Sequence, residues 1–170
     1  MRACPAQCAI SPMSNQRIKT PCVGLCSTVY GDLVCRGCKR FHHEVIDWNR
    51  YGDEEKRAVW RRLEALLVQV MAGKLEIFDA ERLRKQLQQR TIRFVPEQSP
   101  YCWAYQLIAR GARLISQLNS YGIVLLPEFR DWSLPQLRDA IDREFFLLSE
   151  AHYERYIAPR FLHYGLDNRA

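Results

Sequence analysis

The chain has 170 residues, 48% of them hydrophobic, which supplies a core and excludes wholesale disorder. Its net charge is +6, with Arg far commoner than Lys, a balance that suits acidic partners such as RNA, DNA or an acidic protein face. Seven cysteines, an odd number, exclude a fully paired disulfide framework, and no run approaches the roughly 20 apolar residues of a membrane helix. Reduced thiols in a cytoplasmic protein without a membrane span are therefore expected, and clustered thiols there more often bind metal than cross-link.

Residues 1–20 are polar and aperiodic and read as a flexible tail. Residues 1–13 contain no continuous apolar stretch of the kind a secretory signal requires. Met13-Ser14-Asn15 resembles a natural start, which would make the first twelve residues an upstream extension. Cys4 and Cys8 repeat a C-x3-C spacing, but their Pro-rich surroundings argue against a ligand role.

A cysteine segment over residues 21–40 follows, with Gly24, Gly31 and Gly37 as turn formers. Thr28-Val29-Tyr30 and Leu33-Val34 flank Gly31-Asp32, a pattern that predicts a tiny β-hairpin. A helix is expected from Asp53, its N-cap, with Glu54 and Glu55 in the first turn. Val59, Leu63, Leu66, Leu67, Val70 and Met71 recur at helical spacing before a stop at Gly73. Asp79 caps a second helix with Leu83 and Leu87 on one face. Residues 95–100 read as a linker, and Ser99-Pro100 opens a third helix. Its expected apolar stripe is Trp103, Leu107, Leu114, Ile115 and Leu118, ending before Gly122. Residues 123–126 are a strand or a buried connector. Ser133 caps the last long helix, carrying Leu137, Ile141, Phe145 and Leu148, and Pro159 stops or kinks it. The reading is mainly α: a small four-cysteine knuckle with a short β-hairpin, then a helical body of about four helices. Its divisions are a tail at 1–20, a metal module with its helix at 21–73, and a helical domain at 74–170.

Cys22, Cys26, Cys35 and Cys38 are spaced C-x3-C-x8-C-x2-C. Two short chelating loops deliver four soft thiolates to the corners of a tetrahedron, which is what a four-coordinate metal requires. Gly37 suits a tight thiolate loop that needs positive φ and amide N–H groups near sulfur. Lys39 and Arg40 are placed to offset thiolate charge. His42 and His43 follow closely and read as groups around the site, since four cysteines already complete it. Zinc is preferred on coordination logic, and a [4Fe–4S] cluster is the alternative. Cys102, beside Trp103, reads as a small buried apolar residue.

Several of these features occur together in order: Pro21-Cys22-Val23-Gly24-Leu25-Cys26, then Cys35-Arg36-Gly37-Cys38, then Glu44 and Trp48. Asp53-Glu54-Glu55-Lys56-Arg57, Val59-Trp60 and Leu63 complete the set. Over residues 21 to about 63 the sequence resembles the small bacterial domain of unknown function numbered 1289, often labelled a predicted Fe–S protein. The resemblance implies a metal-binding segment and brings no reaction, substrate or partner; residues 74–170 lie outside it.

Aromatic and basic residues interleave at Trp48-Asn49-Arg50-Tyr51 and Trp60-Arg61-Arg62. Aromatic faces stack on bases while Arg binds phosphate, so Arg50, Arg57, Arg61 and Arg62 are candidate nucleic-acid contacts. The competing reading, which is favoured for the two tryptophans, is that Trp48 and Trp60 pack against the knuckle. No glycine-rich phosphate loop or nucleophile elbow is present, and four thiolates leave a metal no open position, so the sequence points away from an enzyme. The expected function is a metal-binding cytoplasmic adaptor that contacts nucleic acid, a nucleic-acid-handling protein or an acidic protein surface. An iron–sulfur protein for electron transfer or redox sensing is the alternative. N-terminal mass spectrometry of the native protein is expected to find the chain starting near Met13; an intact Met1 or Arg2 would contradict the extension.

Overall fold

A computed structural model describes residues 18–115 and 117–160. Cys4, Cys8 and the expected start at Met13 lie outside the described residues. The architecture is mainly α, as expected. Among the described residues there are five helices, α1 (His42–Ile46), α2 (Asp53–Ala72), α3 (Ala80–Gln89), α4 (Pro100–Gly111) and α5 (Leu134–Tyr156), with short 3-10 turns before α1 and between α4 and α5. Strands β1 (Leu75–Ile77) and β2 (Ile123–Leu125) pair antiparallel, Glu76 opposite Val124.

The helix starts follow local chemistry. Asp79 accepts from the Arg82 amide at 2.9 Å, and Ser133 from the Gln136 amide at 3.4 Å. Ser99 caps α4 with Pro100 in the first turn. For α2 the cap is Gly52 rather than Asp53: the Glu55 carboxylate turns back to the Gly52 amide at 2.7 Å.

Three expectations are corrected. The segment between the cysteine pairs does not form a hairpin: Ser27–Tyr30 is a 3-10 turn ended by Gly31, and Val34 instead bridges Phe41 across the second cysteine loop. The strand pairing of the fold is β1 with β2. α4 ends at Gly111, so Leu114 and Ile115 leave the apolar stripe, with Leu114 exposed, and Leu118 belongs to the next 3-10 turn. A short helix, α1, lies where no periodicity announced one.

α2 packs on both α4 and α5, while α3 rests on α4. One continuous core runs from Trp48 and Val59 through Leu67, Leu83, Leu107 and Ile123 to Ile141 and Phe145. A second, small cluster of Val34, Phe41 and Tyr153 seats the cysteine segment on the end of α5. This segment has almost no core of its own and depends on the body beneath it.

Gly122 ties the strand pair to the start of α3. Its φ is +77°, its carbonyl accepts from the amides of Phe78 and Asp79, and a Cβ there would lie 2.3 Å from the Asp79 carbonyl oxygen. Gly122→Ala is therefore expected to destabilise the protein by about 1–3 kcal/mol in urea unfolding. An unchanged midpoint would show that the turn relaxes freely.

Candidate metal centre

The two cysteine loops are in direct contact. A Cβ on Gly37 would lie 2.6 Å from the Leu25 carbonyl oxygen and 2.9 Å from a Val23 methyl, so only glycine lets the Cys35–Cys38 loop lie against the Cys22–Cys26 loop. The requirement here is close approach, not the positive φ expected from sequence. Positive φ falls instead on Gly24, Gly31 and Lys39.

Cys35 and Cys38 are buried side by side, Cys26 is half-buried and Cys22 is exposed. Burial pushes the Cys35 thiol up, but the backbone amides of Cys38, Ser27 and Gly37, together with the Cys38 thiol, outweigh it and bring it down to about 7. Cys38 moves the other way: burial raises its thiol against the opposing pull of Arg40, whose Nε donates to Cys38 Sγ at 3.3 Å. The Arg40 guanidinium also stacks 5.0 Å from the Trp48 ring. At the other loop, Cys22 Sγ accepts from the Gly24 amide at 3.4 Å, and Cys26 Sγ lies 3.0 Å from Thr28 Oγ1. Among the described residues no three His, Cys, Asp or Glu side chains are gathered as a metal ion would hold them. The structure thus brings together one thiol pair and lays the second loop against it. In kind, the donors fit a thiolate-bound ion: two buried sulfurs, amides directed at sulfur and an arginine beside it.

Lys39 lies beneath the loop, not around the sulfurs. Its ammonium donates to the carbonyls of Arg36, at 2.6 Å, and Gly37, at 3.3 Å, and pairs with Asp142 on α5. His42 is exposed. His43 is half-buried with its ring 5.8 Å from Phe41, and its pKa is lowered by burial and then by Arg62. Cys102 is buried, and burial raises its thiol to about 12, consistent with a packing role. It shares a cavity of about 140 Å³ with Cys38, Tyr105 and Phe145.

The arginines expected on an outer surface divide into two groups. Arg50 pairs with Asp47, Arg57 with Asp53 and Glu54, and Arg61 with Glu54, all at the surface. Arg62 faces inward, contrary to the expected outer position: its side chain is 13% exposed, it pairs with Glu44 at 2.6 Å, and its guanidinium lies 3.7 Å from the Phe41 ring centre. Glu44 also accepts from the Phe41 amide at 2.9 Å, satisfying the free amide ahead of α1. Burial raises the Glu44 carboxyl and lowers the Arg62 guanidinium, while each partner pulls the other back. Trp48 is buried in the main core, and Trp60 is half-buried with its indole donating to the Lys19 carbonyl at 3.0 Å. Neither ring stands free as a stacking platform.

These observations place the cysteine loops, the Glu44–Arg62 pair and the first half of α2 in one segment. Residues 20–67 match the family described as "Protein of unknown function (DUF1289)". The resemblance seen in the cysteine spacing and the Asp53 helix start holds for this DUF1289 segment. No curated protein and no solved structure shows significant similarity to the chain. No helix among the described residues is long and apolar enough to cross a membrane.

The sequence marks Glu44 only through the family resemblance and Asp142 only as an acid on the last helix, with no sign of its pairing with Lys39. Glu44 reaches an amide only three residues back, whereas nothing local links Lys39 to an acid 103 residues away. Glu44→Gln should leave the Arg62 charge buried without its carboxylate and cost about 3–5 kcal/mol in denaturant unfolding. Adding Arg62→Met should recover most of that loss, and equal losses in the single and double variants would contradict a coupled pair.

Proposed function

We propose that the protein is a non-catalytic binding module in which Cys22, Cys26, Cys35 and Cys38 hold one metal ion, zinc in preference to a [4Fe–4S] cluster. The ion fixes the knuckle as a surface that engages an acidic macromolecular face. The observation that carries this reading is the contact at Gly37, which puts both chelating loops on one another with the amides of Ser27, Gly37 and Cys38 directed at Cys35. Binding requires the Cys22 and Cys26 thiols to turn from Gly24 and Thr28 and join the buried pair. Zinc would supply folding free energy to a segment whose own cluster is Val34, Phe41 and Tyr153. Four thiolates complete a tetrahedral ion and leave no position for substrate.

The acidic face follows from net charge and from exposed Arg36, Arg50, Arg57 and Arg61. Each already has a carboxylate neighbour, so a phosphate or carboxylate of the partner would exchange for it, and binding should weaken with salt. The cytoplasm, where thiols stay reduced, is the compartment that suits this site.

Protein purified anaerobically without added metal is expected to be colourless with about one zinc per chain. Cys35→Ser should lose that metal and unfold the segment before α2, while most of the helical circular-dichroism signal persists because the main core contains none of the four cysteines. Iron with acid-labile sulfide would replace zinc by the cluster. Substoichiometric amounts of every metal would overturn the site.

A further inference from the structure

The knuckle exposes an apolar surface that the metal does not use. Val23, Leu25, Val29, Tyr30 and Leu33 are all more than half exposed, Leu25 at 80% and Tyr30 at 90%. Five large apolar side chains within eleven residues of sequence are unusual on a surface, where such residues are ordinarily scattered singly. The two loops and the 3-10 turn hold them together: Gly37 packs on Val23 and Leu25, and the Arg36 amide donates to Ser27 Oγ at 2.9 Å.

Arg36 joins this surface to a hollow of about 440 Å³ against α5. Its guanidinium pairs with Asp32 at 3.0 Å and lies 4.9 Å from the Phe146 ring centre. Arg138 and Arg143 line the same hollow with Asp139 and Asp142. Asp139 is paired with Arg138, and Asp142 is taken by the buried Lys39. Arg143 is exposed and has no hydrogen bond or ion pair among the described residues. The apolar surface is thus bordered by three arginines, of which Arg36 and Arg138 are paired with Asp32 and Asp139 while Arg143 has no acid of its own among the described residues.

We infer that this face docks a partner protein presenting apolar side chains flanked by carboxylates. The inference deepens the binding-module reading above and rests on it. Tyr30 is the one ring among the five, and four aliphatic side chains around it offer no plane for successive bases to stack on, which disfavours single-stranded nucleic acid as occupant. A second copy would bring the same arginine-bordered surface to both sides of the contact and supply no unpaired carboxylates to Arg143, so it matches the apolar half of the surface only. An acidic, apolar protein face satisfies both halves of the surface, and tyrosine and arginine are the side chains that anchor such contacts.

The test is photo-crosslinking in cells with the full-length chain carrying Tyr30→p-benzoylphenylalanine. A nuclease-resistant adduct to another protein is expected, with the linked peptide holding Asp or Glu beside apolar residues. Arg36→Glu should lower its yield about tenfold or more, and the same position-30 label at exposed Leu147 should give no adduct. Metal content and melting temperature are measured on each variant. Loss of adduct in Arg36→Glu with both unchanged supports the docking contact, whereas an adduct formed by metal-free protein contradicts the metal reading instead. A nuclease-sensitive adduct, one of twice the chain mass, a link within the chain, or no adduct from metal-loaded protein would each overturn the inference.

Discussion

The Lys39 ammonium, 2% exposed, donates to the carbonyls of Arg36 and Gly37 and pairs with Asp142. An ammonium has three donors, and three acceptors meet it here, which is the condition under which a buried charge is tolerable. The same residue adopts a left-handed backbone, φ +59°, ordinarily the province of glycine and worth roughly 1–2 kcal/mol of strain. Glycine at that position would relieve the backbone but leave the loop carbonyls unbound and remove the ion pair that ties the loop to α5. The ammonium therefore sets both the shape of the thiol loop and its place on the body.

A second attachment works beside it. Phe41 packs on Tyr153, its ring covered by the Arg62 guanidinium, and Glu44 holds both Arg62 and the Phe41 amide. A buried ion pair of this kind adds little net stability against an apolar replacement, because desolvation offsets its Coulomb attraction. What it does is link α1 to α2 next to the strand bridge that holds the second cysteine loop. Lys39 and Arg62 are both cations that a sequence reading assigns to charge balance or to phosphate. In the fold each holds an element in place.

Much of the fold was legible because its signals are local. Asp79, Ser99-Pro100 and Ser133 cap helices through amides two or three residues away, and the α2 and α5 stripes recur within single helices. The misreadings come where local pattern competes with distant contact. Leu114, Ile115 and Leu118 keep helical spacing although α4 ends at Gly111, and the residues around Gly31-Asp32 have hairpin composition but no facing strand. β1 is three residues long and its partner lies beyond two intervening helices, so no window of sequence reveals it. At the candidate site the four cysteines and Gly37 were readable from spacing, although the reason for Gly37 is contact with Leu25 and Val23. The acids that pair with Lys39 and Arg62 lie 103 and 18 residues away and became visible only in three dimensions.

The thiol knuckle, whose small cluster holds only three buried residues, is seated on the helical body by two buried cations and presents apolar side chains outward. In the proposed site all four thiols share one ion. X-ray absorption at the zinc edge of the isolated protein tests this most directly. Four sulfur neighbours at about 2.3 Å are the predicted result. Two sulfurs completed by lighter nitrogen or oxygen atoms would contradict it, limiting the site to the buried Cys35–Cys38 pair.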